Sequence, residues 1–115
     1  MSYRADYLPV APARTAVDAL HGPVVLEFGA PWCGHCRAAQ PAIRAWLDEV
    51  GVVTHLKVED GKGRPLGRTF EVRLWPTLVV LAEGQERARV VRPITASDLD
   101  EVRHALDSVA SHTTR

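Results

Sequence analysis

Residues 24–30 read Val-Val-Leu-Glu-Phe-Gly-Ala, and this run narrows the folds open to the chain more than any other feature. A near-continuous apolar segment of strand length, opened by Gly22-Pro23, fits a strand covered on both faces. Such a strand lies inside a sheet with helices above and below it. One carboxylate, Glu27, sits within it. Directly after it come Pro31, Trp32 and two cysteines, Cys33 and Cys36, followed by Ala39, Ile43, Trp46, Leu47 and Val50 at helical spacing. Gly51 reads as the stop of that helix, and Pro41 inside it is expected to kink it.

The rest of the chain is read around this centre. Residues 52–58 form the next strand, so strand, helix and strand make a right-handed βαβ unit with two parallel strands. A short helix fits residues 13–20, and 7–10 are expected to form an edge strand, with Pro9 confining it to the edge. A second short helix covers 65–70. Strands at 78–82 and 88–91 are joined by a turn containing Glu83-Gly84-Gln85, as in a hairpin. Ser97 is placed to cap a last helix whose Leu99, Val102, Leu106 and Val109 form one apolar stripe, and 111–115 read as a polar tail. The expectation is an α/β domain spanning 1–115, with a mixed sheet of about five strands and helices on both faces. A chain of 115 residues suits one domain of this kind.

Charge and cysteine content remove several function classes. Fourteen Lys plus Arg balance fourteen Asp plus Glu, leaving no basic footprint for nucleic acid. Two cysteines are too few for a secreted disulfide framework or a four-thiolate zinc site. The first twenty residues carry Arg4, Asp6, Arg14 and Asp18 and no apolar run of signal-peptide length. No stretch approaches a membrane span. The chain is expected to be cytoplasmic and free of the membrane.

A Cys-x-x-Cys pair where a strand passes into a helix has a definite logic. The helix start presents unpaired N–H groups and the positive dipole end to the first sulfur, favouring its thiolate. Cys33 can then attack a substrate disulfide, and Cys36, one turn later, can resolve the mixed disulfide. His35 between them can donate a hydrogen bond or positive charge to the thiolate. Three other readings stay open at this point: a structural disulfide, a zinc or iron–sulfur site completed by a second chain, and a module whose cysteines only switch affinity for a partner. His21, His55, His104 and His112 are scattered and are given no role.

The strand VVLEF, the motif APWCGHC, Pro41, Lys57 and the WPT at 75–77 together resemble the thioredoxin superfamily over nearly the whole chain. Gly34-His35 between the cysteines is similar to the active domains of protein disulfide isomerase. The resemblance implies the thioredoxin fold and a thiol-disulfide oxidoreductase acting on protein disulfides. It implies no organic cofactor, a monomer, and an electron donor such as a thioredoxin reductase or glutathione. It makes Pro76 a cis-proline facing the cysteines, with Trp32 and Trp75 lining the substrate groove. Glu27 becomes the buried carboxylate that takes and returns the proton of the resolving thiol, with Lys57 beside it favouring the ionised form. Glu27→Gln is expected to slow resolution while leaving the fold as stable or more so, since an uncompensated buried carboxylate costs free energy. Trp75 stands where small or β-branched residues are commoner, and Arg92-Pro93 where a glycine often follows the last strand. The absence of an export signal favours a reductase, and Gly-His favours oxidation; the reading leans to a reductase.

Overall fold

The computed structural model describes residues 2–113, with side chains as far as Val109. Its elements run α1 (Arg14–Asp18), β1 (Pro23–Gly29), α2 (Gly34–Glu49), β2 (Thr54–Glu59), α3 (Pro65–Thr69), β3 (Thr77–Ala82), β4 (Gln85–Val91), a 3-10 turn (Ala96–Leu99) and α4 (Asp100–Thr113). The sheet order is β2-β1-β3-β4, with β1 parallel to β2 and antiparallel to β3, and β3 antiparallel to β4. This is the thioredoxin fold with four strands rather than about five. The expected strand at 7–10 does not form: Leu8 donates one backbone bond to Lys57 at 2.8 Å, and Pro9 has no N–H with which to continue a ladder.

Strand parity explains how the sheet is covered. Val24, Leu26 and Phe28 join Val17 of α1, Leu66 of α3 and neighbouring Phe70 on one face. Val25 joins Ile43, Trp46 and Leu47 of α2 and Val102 and Leu106 of α4 on the other. Burying each large apolar side chain contributes roughly 1.5–3 kcal/mol, and successive β1 residues do so on alternate faces. Glu27 is odd-numbered like Val25, so it points to the α2 side and is fully buried there. In the parallel register His55 sits opposite Val25 and Lys57 opposite Glu27, which sends both to that same side.

The connections differ in detail from expectation. Glu83 and Gly84, at φ 49° and 77°, form a two-residue hairpin turn in which both residues are left-handed, so β4 begins at Gln85 and not at 88. Gly84 is also required by space, because a Cβ there would run into the Asp18 carbonyl oxygen. Ser97 is not the cap. Thr95 accepts from the Asp98 N–H while the Asp98 carboxylate accepts from the Thr95 and Ile94 N–H groups, starting a 3-10 turn that leads into α4. That carboxylate is held below the usual range by those backbone bonds. α2 ends at Glu49 with an extended Val50, so Gly51 follows the stop without forming a left-handed cap. The tail expected from 111 is helical as far as Thr113, and 114–115 lie outside the described residues.

Candidate redox site

Both cysteines are free thiols. Cys33 occupies the N-cap of α2 with extended backbone, and its Sγ accepts the Cys36 N–H at 3.2 Å. The helix start therefore directs a backbone donor and its positive end at this sulfur. Cys33 is 7 % exposed and Cys36 2 %, so the first cysteine is the nearer to solvent. Burial, then the neighbouring Cys33 sulfur, push the Cys36 thiol up to about 11, against the Ala30 backbone and the nearby Tyr7 hydroxyl, which pull it down. His35 is exposed in the first turn of α2 and makes no side-chain hydrogen bond among the described residues.

The rim is built by residues 75–77. The Trp75–Pro76 peptide bond is cis, and Trp75 packs against the small apolar cluster of Ala30, Cys33 and Cys36. Its indole N–H donates to Asp60 Oδ2 at 2.8 Å, and its ring meets Trp32 edge-on with centroids 5.4 Å apart. Trp32 is 69 % exposed. Arg92 fixes this loop from the far side: its N–H bonds the Pro76 carbonyl and its Nε the Trp75 carbonyl. Arg92 does so at φ 53°, a left-handed position that costs a non-glycine residue about 1–2 kcal/mol.

Behind the cysteines lies a polar network. Glu27 Oε1 accepts from His55 Nε2 at 2.9 Å and Oε2 from Gln40 Nε2 at 2.8 Å, while Lys57 Nζ stands 3.8 Å from Oε2. His55 Nδ1 accepts the Arg4 backbone N–H at 2.8 Å, so the ring hydrogen belongs on Nε2. Gln40 Oε1 accepts from Lys57 Nζ and the Tyr3 hydroxyl, and Gln40 Nε2 also reaches the Cys36 carbonyl. Lys57 Nζ donates further to the Ala5 carbonyl. Among the described residues no group of three or more His, Cys, Asp or Glu side chains could hold a metal ion.

The thioredoxin family model matches residues 11–105. The chain belongs to the thioredoxin family. It is 49 % identical to thioredoxin 2 of Pseudomonas aeruginosa, whose reduced structure superposes with a TM-score of 0.79 over 96 % of this chain and 99 % of that one. A thioredoxin of Aspergillus fumigatus is 32 % identical over 81 residues, 70 % of this chain and 75 % of its own length. Thioredoxin H2 of Arabidopsis thaliana is 34 % identical over 68 residues, 59 % of this chain, which spans only 51 % of that relative's length. Membership makes the chain a thioredoxin-like disulfide oxidoreductase, with Cys33 and Cys36 as its Cys-x-x-Cys pair. No helix of the described residues is long and apolar enough to cross a membrane.

Within this thioredoxin site, Cys33, Cys36 and Trp75 come together with Trp32 on the rim, and Glu27 and Lys57 come together behind them. His35 stands apart from both groups. Four residues were missed in the sequence. His55, given no role, is buried on Glu27; counting two back from Lys57 along the strand would have placed it on the same face. Gln40, four residues after Cys36, lies on the same helix face by the 3.6-residue period. Asp60 follows the C-terminal end of a parallel strand, where sites gather in such sheets. Tyr7 had no signal, because a segment outside regular structure brings it in.

Proposed function

We propose that this protein reduces disulfides in other proteins, with Cys33 attacking and Cys36 resolving. The observation that carries the reading is Cys33 at the N-cap of α2, its sulfur accepting a helix N–H and the residue more exposed than Cys36. Glu27 takes the Cys36 proton, with Lys57 compensating its charge, and His35 adjusts the stability of the dithiol form. Trp32, Trp75 and Pro76 form the face that meets the substrate. Leu74 and Ile94, exposed close by in sequence, extend apolar surface suited to an extended chain. Electrons arrive from a donor such as a thioredoxin reductase or glutathione in a reducing compartment, and the protein acts as a monomer without a cofactor of its own.

Cys36→Ser is expected to accumulate a mixed disulfide when its reduced Cys33 thiol attacks native, disulfide-bonded insulin, the other insulin sulfur leaving as a thiolate, and Cys33→Ser to form none. Adducts on Cys36 in the Cys33→Ser protein would reverse the assignment. Absence of insulin reduction by the parent protein with dithiothreitol as donor would remove the reductase reading.

A further inference from the structure

Resolution asks a buried sulfur to carry negative charge, and the surroundings of Cys36 show what meets it. A Cβ on Gly29 would fall 2.6 Å from Cys36 Sγ and 2.9 Å from the Tyr7 hydroxyl oxygen. The missing side chain thus leaves the space in which sulfur and phenol approach each other. Tyr7 is held there from both sides of its own segment, by Lys57 Nζ on the Ala5 carbonyl and by the Leu8 N–H on the Lys57 carbonyl. Tyr7 and Cys36 share the wall of a cleft of about 420 Å³ with Gln40 and Lys57. The Gln40 amide donates to Glu27 and the Cys36 carbonyl and Lys57 Nζ donates to the Ala5 carbonyl and Gln40 Oε1, which leaves the Tyr7 O–H as a side-chain donor for the sulfur. Burial and the negative charges of Cys36 and Glu27 push the Tyr7 phenol well above its usual range, so it stays protonated and able to donate.

We propose that Tyr7 is a catalytic residue of the resolving step: its neutral hydroxyl donates a hydrogen bond to Cys36 Sγ and stabilises the thiolate formed there. The inference rests on the exchange reading above. With a substrate sulfur joined to Cys33, Cys36 gives its proton to Glu27, and the Cys36 thiolate attacks Cys33 Sγ. The Cys33–Cys36 bond forms as the bond from Cys33 to the substrate sulfur breaks. The substrate leaves as a thiolate and takes up a proton. The two cysteines lose two electrons and the substrate disulfide gains them.

The test mixes the reduced full chain with one equivalent of dithiobis(nitrobenzoate) in a stopped-flow instrument between pH 7 and 10.5. The first nitrothiobenzoate released reports attack by Cys33 and the second reports attack by Cys36. Tyr7→Phe keeps the ring and removes the O–H, and a hydrogen bond to a charged group is worth at least about a factor of ten. The second release is expected to slow about tenfold, equivalent to a displacement of its rate–pH profile by about one unit, with the first release unchanged. An unchanged second phase overturns the role of Tyr7. A parent protein that shows the first release and no second overturns the exchange reading itself. If the Phe variant does not fold, 3-fluorotyrosine at position 7, a stronger donor of the same shape, is expected to speed the second phase, and an unchanged phase again overturns the role.

Discussion

Glu27→Gln changes one oxygen to an amide nitrogen, and the network around it makes the cost countable. Because His55 Nδ1 accepts the Arg4 N–H, Nε2 presents a hydrogen to Oε1. Because the Gln40 oxygen accepts from Tyr3 and Lys57, the Gln40 amide nitrogen faces Oε2. Both neighbours are donors. A glutamine offers one acceptor and one NH2 group, so in either orientation an NH2 meets a donor. An unsatisfied buried donor costs about 1–3 kcal/mol, and Lys57 also loses the negative charge 3.8 Å away. The expected loss is about 2–4 kcal/mol. With an unfolding entropy of about 2.1 cal/mol/K per residue, this lowers Tm by roughly 8–17 °C for a chain of this length. The donor count reverses the expectation that an amide would leave the fold equally or more stable. Far-UV melting and urea midpoints of the reduced protein check it, and a Tm within about 2 °C of the parent would refute the reasoning. The pair Glu27→Gln with Gln40→Glu puts an acceptor opposite the new NH2 and still accepts from Tyr3 and Lys57. It forfeits the bond to the Cys36 carbonyl, so partial recovery is expected, with about 1 kcal/mol of coupling in the double-mutant cycle.

Two further expectations concern the cysteine motif. The Cys36 thiol is raised from 9.0 to about 11 in the folded protein, so its contribution to stability is intact below about pH 9 and is lost as pH rises through 11. The urea midpoint of the reduced protein should fall between pH 8 and 10.5, less steeply in Cys36→Ala; equal slopes would contradict this. His35→Pro is expected to lower the reduction potential by less than the ~90 mV that separates thioredoxin from protein disulfide isomerase, at little cost to the fold because first-turn N–H groups lack intrahelical partners. Equilibration with glutathione at pH 7 measures it, and an unchanged or higher potential would remove His35 from control of the redox poise.

The central strand, the helix after the cysteines and the parallel return were legible because each is marked by a continuous or periodic apolar pattern. The two cysteines and the WPT were legible because they are local motifs. Tyr7–Val10 misled as a strand because its apolar residues serve a strap that touches β2 at intervals, which period-2 reading cannot tell from a paired edge. Thr95 was passed over for Ser97 because both can cap, and only the reciprocal bond from Asp98 chooses between them. His55 and Gln40 escaped notice for a different reason. Neither residue type announces a role, and their work consists in which atom of Glu27 each one faces.

Ser2 ties to Gly51 and Val53, the Arg4 N–H fixes the His55 tautomer, the Ala5 carbonyl holds Lys57, and Leu8 bonds the β2 backbone. The region matched by the family model begins only at residue 11. The proton inventory behind the cysteines is thus set in part by an arm that precedes the region matched by the family model. Two family members with the same Cys-Gly-His-Cys motif and the same sheet can differ in that inventory through ten residues of leading sequence alone. Grafting such arms is a way to retune the chemistry while every core residue stays in place.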